Sequence, residues 1–150
     1  MKRAVVVLPL LLLLAACGGG GDDPKAAYVT QATKVCEVAK TDGDALPRPT
    51  GATDLKAFVD NTVAIAKRAQ GELAALTPPE PDAAELKTKV LDPFAALVTE
   101  GEAYAKKVDA AGTDQAALLP LIAAQPKPDK IDLKYLRSYG LGVCADAIGG

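Results

Sequence analysis

The chain has 150 residues, with 17 Lys and Arg against 19 Asp and Glu, three cysteines and no histidine. The lack of histidine excludes a Ser-His-Asp or Cys-His catalytic site, His-ligated zinc and the Glu-x-x-His ligands of di-iron bundles. A formal net charge of −2 argues against electrostatic binding to nucleic acid, so we expect no nucleic-acid partner. Because histidine is absent and no cysteine is expected to stay free as a ligand, we also expect no metal or other cofactor.

The first 16 residues have the features of a secretory signal peptide. Lys2 and Arg3 precede an uncharged run of 13 residues from Ala4 to Ala16. A transmembrane helix is the alternative, but crossing a hydrocarbon core takes about 20 apolar residues. Export explains the segment better. Its removal leaves 134 residues with a net charge of −4, enough for one domain with one hydrophobic core.

A cysteine directly follows this segment. Leu14-Ala15-Ala16-Cys17 resembles a bacterial lipobox, in which the cysteine receives a diacylglycerol and becomes the new N-terminus after cleavage. Ordinary signal cleavage that leaves Cys17 an unmodified thiol is the alternative. Two acyl chains hold a protein on a membrane durably, whereas one gives only marginal binding. We predict that acyl chains such as palmitate on Cys17 anchor the protein in membrane lipid, on the extracytoplasmic face of the cell membrane.

A glycine-rich tether over residues 17–23 is predicted to connect this anchor to the first helix. That helix begins at Asp23-Pro24, a capping carboxylate followed by proline at the first helical position. Its apolar positions recur at helical spacing: Tyr28, Ala32, Val35 and Ala39, with Cys36 at the edge. Thr41 to Gly51 is predicted to be a loop, and its acidic start is interpreted as a turn rather than a calcium site.

The second helix is predicted over residues 54–76 and has the clearest apolar periodicity. Thr53 is its predicted N-cap, and Thr77-Pro78-Pro79 ends it. Its apolar face consists of Leu55, Phe58, Val59, Thr62, Ala66, Ala69, Leu73 and Leu76.

A third helix is predicted to begin near Asp82, with Glu85 as its capping-box partner. Its apolar face consists of Leu86, Val90, Phe94, Leu97, Gly101, Tyr104 and Val108. Pro93 removes a hydrogen bond and either kinks this helix or starts another at Asp92-Pro93. We favour one kinked helix because the apolar face keeps its phase across the proline. Gly101 lies on the inward face, where the missing side chain lets a neighbouring helix approach closely.

Two short helices are predicted in the C-terminal part. Thr113 is the predicted cap of the first, which is apolar and disturbed by Pro120. After a proline-rich linker at 125–128, Asp129 is predicted to open the second. Its apolar positions are Ile131, Leu136 and Tyr139. Gly140 stands where a left-handed C-terminal cap is expected, and the leucine after it would make the usual hydrophobic contact.

These helices can bury their apolar faces only by packing against one another. No segment shows the alternation of a strand. We therefore predict an all-α fold, namely an up-and-down bundle of about four helices with a split or kinked C-terminal part, in a single domain over residues 24–150.

Cys36 and Cys144 remain as an even pair if Cys17 is acylated. Oxidising compartments favour a disulfide between two such cysteines, and we predict this bridge. Two buried free thiols are the alternative. A redox role is disfavoured because the chain has no Cys-x-x-Cys.

Several features together resemble small lipoproteins common in actinobacteria: the lipobox Cys17, Tyr28 eight residues before Cys36, the Ala-Leu-Thr-Pro-Pro hinge at 75–79, and the terminal Tyr139-Gly140-Leu141-x-x-Cys144. The resemblance implies a helical bundle that is cross-linked by one disulfide. The proteins of this group have no established activity. Pro93 and Pro120 depart from the smoother helices of that group.

The tyrosines on the predicted helices are the candidate ligand or partner contacts: Tyr28, Tyr104 and Tyr139, with Tyr135 beside them. A buried tyrosine seeks a partner for its hydroxyl, and core packing is the alternative role. Five carboxylates are weighed for acid–base chemistry and interpreted as solvated: Asp60, Glu72, Glu85, Glu100 and Glu102.

The leading functional prediction is a lipid-anchored, non-enzymatic binding or adaptor module of the cell envelope, which binds an envelope protein through a helix face. The alternative is a carrier that encloses a small apolar ligand, which requires a cavity of several hundred Å³ between helices. A hydrolase that uses paired carboxylates is a third, weaker hypothesis.

Overall fold

The computed structural model describes residues 23–149. Helices take up 77% of these residues, and this part of the chain contains no strand. The predicted all-α bundle with one disulfide is therefore confirmed. The predicted signal peptide, Cys17 and the tether as far as residue 22 lie outside the described residues.

Six helices follow one another in the described range. They are α1 (Pro24–Asp44), α2 (Ala52–Ala75), α3 (residues 83–111), α4 (Gln115–Ala123), α5 (Leu133–Tyr139) and α6 (Gly142–Gly149). The long helices α2 and α3 pack against each other, α1 packs against α2 and α6, and the short helices α5 and α6 pack together. The sequence prediction missed α6, since only its neighbours in the fold make so short a segment helical.

The third helix continues through Pro93, as predicted, by means of one π-helical turn at Lys87–Leu91. Within this turn the N–H of Asp92 donates to the carbonyl of Lys87. Proline has no N–H to offer the carbonyl of Lys89 four residues earlier. That carbonyl instead accepts from the backbone N–H of Asp132, at 3.1 Å. Because Pro93 leaves the carbonyl of Lys89 free, that carbonyl links α3 to the segment before α5 by a hydrogen bond.

Among the predicted N-caps, Asp23 is confirmed, because its carboxylate accepts from the N–H of Lys25 at 2.9 Å. Thr53 is wrong as a cap, since α2 begins one residue before it with Gly51 at the cap position. The first turn of α2 is held instead by the hydroxyl of Thr50, which donates to the carboxylate of Asp54 at 2.7 Å.

Two further caps differ from the prediction because an aspartate close by takes the position. Asp114, not Thr113, caps α4, and its carboxylate accepts from the N–H of Ala116. Asp132, not Asp129, caps α5. A carboxylate accepts strongly from these N–H groups and also interacts favourably with the helix dipole.

The capping box predicted at the start of α3 is also wrong. Asp82 precedes the helix but makes no side-chain cap, and Glu85 instead pairs with Lys89 at 2.5 Å. At the end of α1 the helix continues to Asp44, so the predicted loop starts four residues later than Thr41.

Two glycines have the roles expected of them. Gly140 has a φ of +104° and ends α5, and the N–H after it donates to the carbonyl of Leu136 at 2.8 Å. Only glycine adopts this conformation without strain. A Cβ placed on Gly101 would lie 3.3 Å from Cγ2 of Val63, which confirms the close approach of α2 to α3.

The predicted disulfide joins α1 to α6. Cys36 and Cys144 are bonded, with their Cα atoms 4.9 Å apart, and both are buried. They belong to the larger of two apolar clusters, which we call the main core and which contains Tyr28, Ala32, Leu86, Val90, Phe94, Leu136 and Ala145. The smaller cluster, the minor core, consists of Val59, Tyr104, Val108 and Leu118.

Candidate ligand-binding site

An apolar cavity of about 400 Å³ lies between α1, α2 and α3. Its walls include Leu55, Phe58, Val63, Ala66, Leu97 and Ile148. Of the described residues that line it, none is charged, and the polar side chains are those of Thr62, Tyr104 and Gln125. Small-molecule sites in proteins have about 300–1,000 Å³ and mostly apolar walls with a few polar groups. The cavity has this size and this composition.

The cavity lies where the two cores meet. Phe94 and Leu73 line it from the main core, and Val59 and Tyr104 line it from the minor core. Small side chains in its wall include those of Ala39, Ala66 and Ala69. Well-packed interiors contain few voids larger than a water molecule. The space differs from such a void because it is partly open to solvent, where Gly43, Thr62 and Gln125 in its wall are exposed.

Tyr104 is the one tyrosine of the predicted set that lines this cavity. It is 7% exposed, and its hydroxyl oxygen is buried without a hydrogen-bond partner among the described residues. An unpaired buried hydroxyl costs about 1–3 kcal/mol. The hydroxyl of Tyr104 is therefore a polar group in the cavity wall that no described protein atom pairs with.

A second pocket, of about 440 Å³, adjoins the first. We call it the lysine pocket, because its walls carry Lys107, Lys127 and Lys130 together with Glu100 and Asp129. Lys130 donates to Glu100 at 2.8 Å, and this hydrogen bond raises the pKa of Lys130. From the sequence, Glu100 was interpreted as a solvated carboxylate and Asp129 as a helix start, and the three lysines were not identified as site residues because they resemble ordinary solvent-facing charges. The neighbouring linker at 125–128 was the one sequence feature that indicated a turn of the chain near α3.

The other tyrosines form a separate aromatic cluster between α1 and α5. The rings of Tyr28 and Tyr139 meet edge to face at 6.3 Å, and Tyr135 lies 5.6 Å from Tyr139. The ammonium of Lys25 lies 4.1 Å from the ring centre of Tyr139. The structure thus brings Tyr28 and Tyr139 together and places Tyr104 elsewhere.

The hydroxyl of Tyr139 donates to Oδ2 of Asp82 at 2.8 Å, across 57 positions of sequence. Burial and this hydrogen bond raise the pKa of Tyr139 far above its usual value. Burial also raises the pKa of Tyr28. The contact explains why Asp82 does not cap α3, since its carboxylate is used by the aromatic cluster. This cluster joins the start of α3 to α5.

Each of the five carboxylates considered for acid–base chemistry pairs with a cation. The pairs are Asp60 with Lys56, Glu72 with Arg68, Glu85 with Lys89, Glu100 with Lys130, and Glu102 with Lys67. The hydrogen bond from Lys67 lowers the pKa of Glu102. Between residues 23 and 149 no three potential metal-ligating side chains come together.

In comparisons with known proteins, no protein-family model, no curated protein and no solved structure matches this chain. Within the described residues, none of the helices is both long enough and apolar enough to span a bilayer.

Proposed function

We propose that the protein is a membrane-anchored, extracytoplasmic lipoprotein whose helical domain is a non-enzymatic binding module for a small apolar ligand. The anchor rests on the sequence, namely the signal-peptide pattern and the lipobox at Cys17. The apolar cavity of about 400 Å³ between α1, α2 and α3 is the observation that supports ligand binding.

The uncharged walls of the cavity favour an apolar ligand for a simple energetic reason. Each methylene group transferred from water to such walls gains about 0.8 kcal/mol. A ligand that buries about ten of them gains about 8 kcal/mol, from which association removes about 4 kcal/mol or more. At this lower limit of the association cost, the net gain of about 4 kcal/mol corresponds to a dissociation constant of about 1 mM.

Binding is tested with a fluorescent reporter inside the cavity. The chain has no tryptophan, so Phe58→Trp introduces a single reporter in the cavity wall. The protein is the mature chain with Cys17→Ser, so that no acyl chain is attached. We expect titration with 1-decanol to change the tryptophan emission in a saturable way. An emission that does not respond contradicts the proposed function.

A matched pair of variants on α2 shows whether the ligand occupies the cavity. Ala66 lines the cavity, whereas Ala64 is exposed on another face of the same helix. Ala66→Leu places three more carbon atoms in the space and should weaken 1-decanol binding by tenfold or more. Ala64→Leu should leave it unchanged. Equal affinities for the two variants would place the ligand outside the cavity.

The anchor is tested separately on the native protein. Mass spectrometry of the N-terminal peptide should find a diacylglycerol on Cys17, and Cys17→Ser should move the protein from the membrane fraction to the soluble fraction. An unmodified Cys17 in the mature protein would remove the membrane anchor from the proposal and leave the cavity argument intact.

A second candidate function is the envelope adaptor that the sequence favours. Helix α4 exposes two apolar side chains one turn apart, Leu119 at 67% and Ile122 at 52%. Exposed apolar groups that lie together mark contact sites of proteins. A photo-crosslinker at position 119 should then give one discrete product in cells, absent when the same group replaces Lys34. Identical products from both positions would count against the adaptor.

A further inference from the structure

The apolar cavity and the lysine pocket share one wall. Tyr104, Gln125 and Pro126 line both spaces. One space carries no charged side chain among its described lining residues, and the other carries three lysines and two carboxylates. An uncharged compartment thus adjoins a charged one, which is the arrangement that an amphiphilic molecule requires.

The charges of the lysine pocket favour an anion. The carboxylate of Glu100 is already paired with Lys130. Lys107 and Lys127 form no ion pair within residues 23–149, and Asp129 is the other carboxylate in the wall. The pocket therefore has a net charge of +1, opposite in sign to the mature chain. Two lysines remain available to an incoming negative group.

The volume of the apolar cavity indicates how large the apolar part of a ligand can be. A methylene group occupies nearly the same volume as a water molecule in the liquid, about 30 Å³. A space of about 400 Å³ then accommodates about a dozen such groups. This is sufficient for one acyl chain.

We propose that the cavity and the lysine pocket form a single site for an anionic amphiphile with one acyl chain. The chain lies in the apolar cavity, passes beside Tyr104 and Pro126, and places its carboxylate or phosphate head between Lys107 and Lys127. This inference rests on the proposed function and names the chemical class of its ligand.

The test compares three probes that share a chain of twelve carbon atoms and differ in the head: 1-dodecanol, kept below its solubility limit, and dodecanoate and dodecyl phosphate, kept below their micelle-forming concentrations. Binding is followed by the tryptophan emission of the Phe58→Trp protein described above. We expect both anions to bind about three- to tenfold more tightly than the alcohol. Their advantage should fall as the salt concentration rises, because exposed charges are screened.

Two double variants separate the lysine pocket from a general charge effect. Lys107→Gln with Lys127→Gln should abolish the preference for the anions and leave 1-dodecanol binding unchanged. Lys34→Gln with Lys134→Gln removes the same charge from exposed lysines outside the pocket and should keep the preference. If dodecanoate binds more tightly than dodecyl phosphate, the head is a carboxylate, and the reverse order assigns a phosphate.

The outcomes distinguish this inference from the proposed function. If the alcohol and both anions bind equally in the parent protein, the inference is wrong while ligand binding in the cavity stands. If both double variants lose the preference to the same degree, the lysine pocket is likewise refuted. If no probe binds, the proposed function itself fails.

Discussion

Replacing both bridged cysteines should remove a large part of the stability of the domain. Cys36 is 4% exposed and Cys144 2%, so the change is best made to alanine, which leaves no hydroxyl buried among apolar neighbours. The double variant Cys36→Ala with Cys144→Ala also avoids the single free thiol that either change alone would create.

The size of the effect follows from the length of chain that the bridge closes. The two cysteines are 108 positions apart and connect α1 to α6, the first and last helices of the described residues. In the loop-entropy model a closed loop of about 100 residues contributes about 4.7 kcal/mol. Typical domains have free energies of unfolding of about 5–15 kcal/mol, so we expect a loss of about a third or more of the total.

The measurement is urea unfolding of the mature chain with Cys17→Ser, followed by far-ultraviolet circular dichroism. The double variant should unfold about 3–5 kcal/mol more easily, and a reductant should destabilise the parent but not the variant. If the parent and the variant unfold within about 1 kcal/mol of each other, or if the parent is insensitive to reductant, the bridge does not stabilise the fold as argued.

The aromatic cluster and the caps allow three further predictions. Tyr139→Phe removes the hydrogen bond to the carboxylate of Asp82 and should lower the free energy of unfolding by about 1.5–3 kcal/mol in the same urea assay; no change would show that water replaces the contact. Because the pKa of Tyr139 is raised in the folded state, the unfolded chain loses this proton first as pH rises through about 10. Stability is therefore intact below pH 10 and should fall above it, by about 1.4 kcal/mol at pH 11 from this group, and Tyr139→Phe should lack this part of the loss. Asp132→Ala should cost about 1 kcal/mol through loss of the α5 cap, whereas Asp129→Ala should cost almost nothing; the reverse order in thermal unfolding would refute the cap assignment.

The all-α class and the long helices were predictable because their information is local. Apolar residues at helical spacing specify α2 and α3 whatever surrounds them, and the unbroken phase of the apolar face across Pro93 predicted one helix where proline alone suggests two. The disulfide was predictable for a different reason. Once Cys17 is assigned to the anchor, two cysteines remain, and pairing them requires no knowledge of the fold.

Caps and short helices were predicted less well because several neighbouring residues suit each position locally. The structure selects among them by contacts from distant parts of the chain. Asp82 binds Tyr139 instead of capping α3, and the backbone of Asp132 is held by the carbonyl of Lys89, so α5 starts after it. None of these partners is close in sequence.

The candidate site was decided by tertiary structure alone. The sequence determined that Gly101 faces inward and that Tyr104 lies on the same side of α3, because helical periodicity fixes which residues share a face. Only the packing of α2 and α3 decided that a cavity of about 400 Å³ remains beside them and that Lys107 and Lys127 border a pocket sharing its wall. The volume of a cavity depends on the distances between whole helices after they pack, and a local pattern of residues does not specify all of these distances.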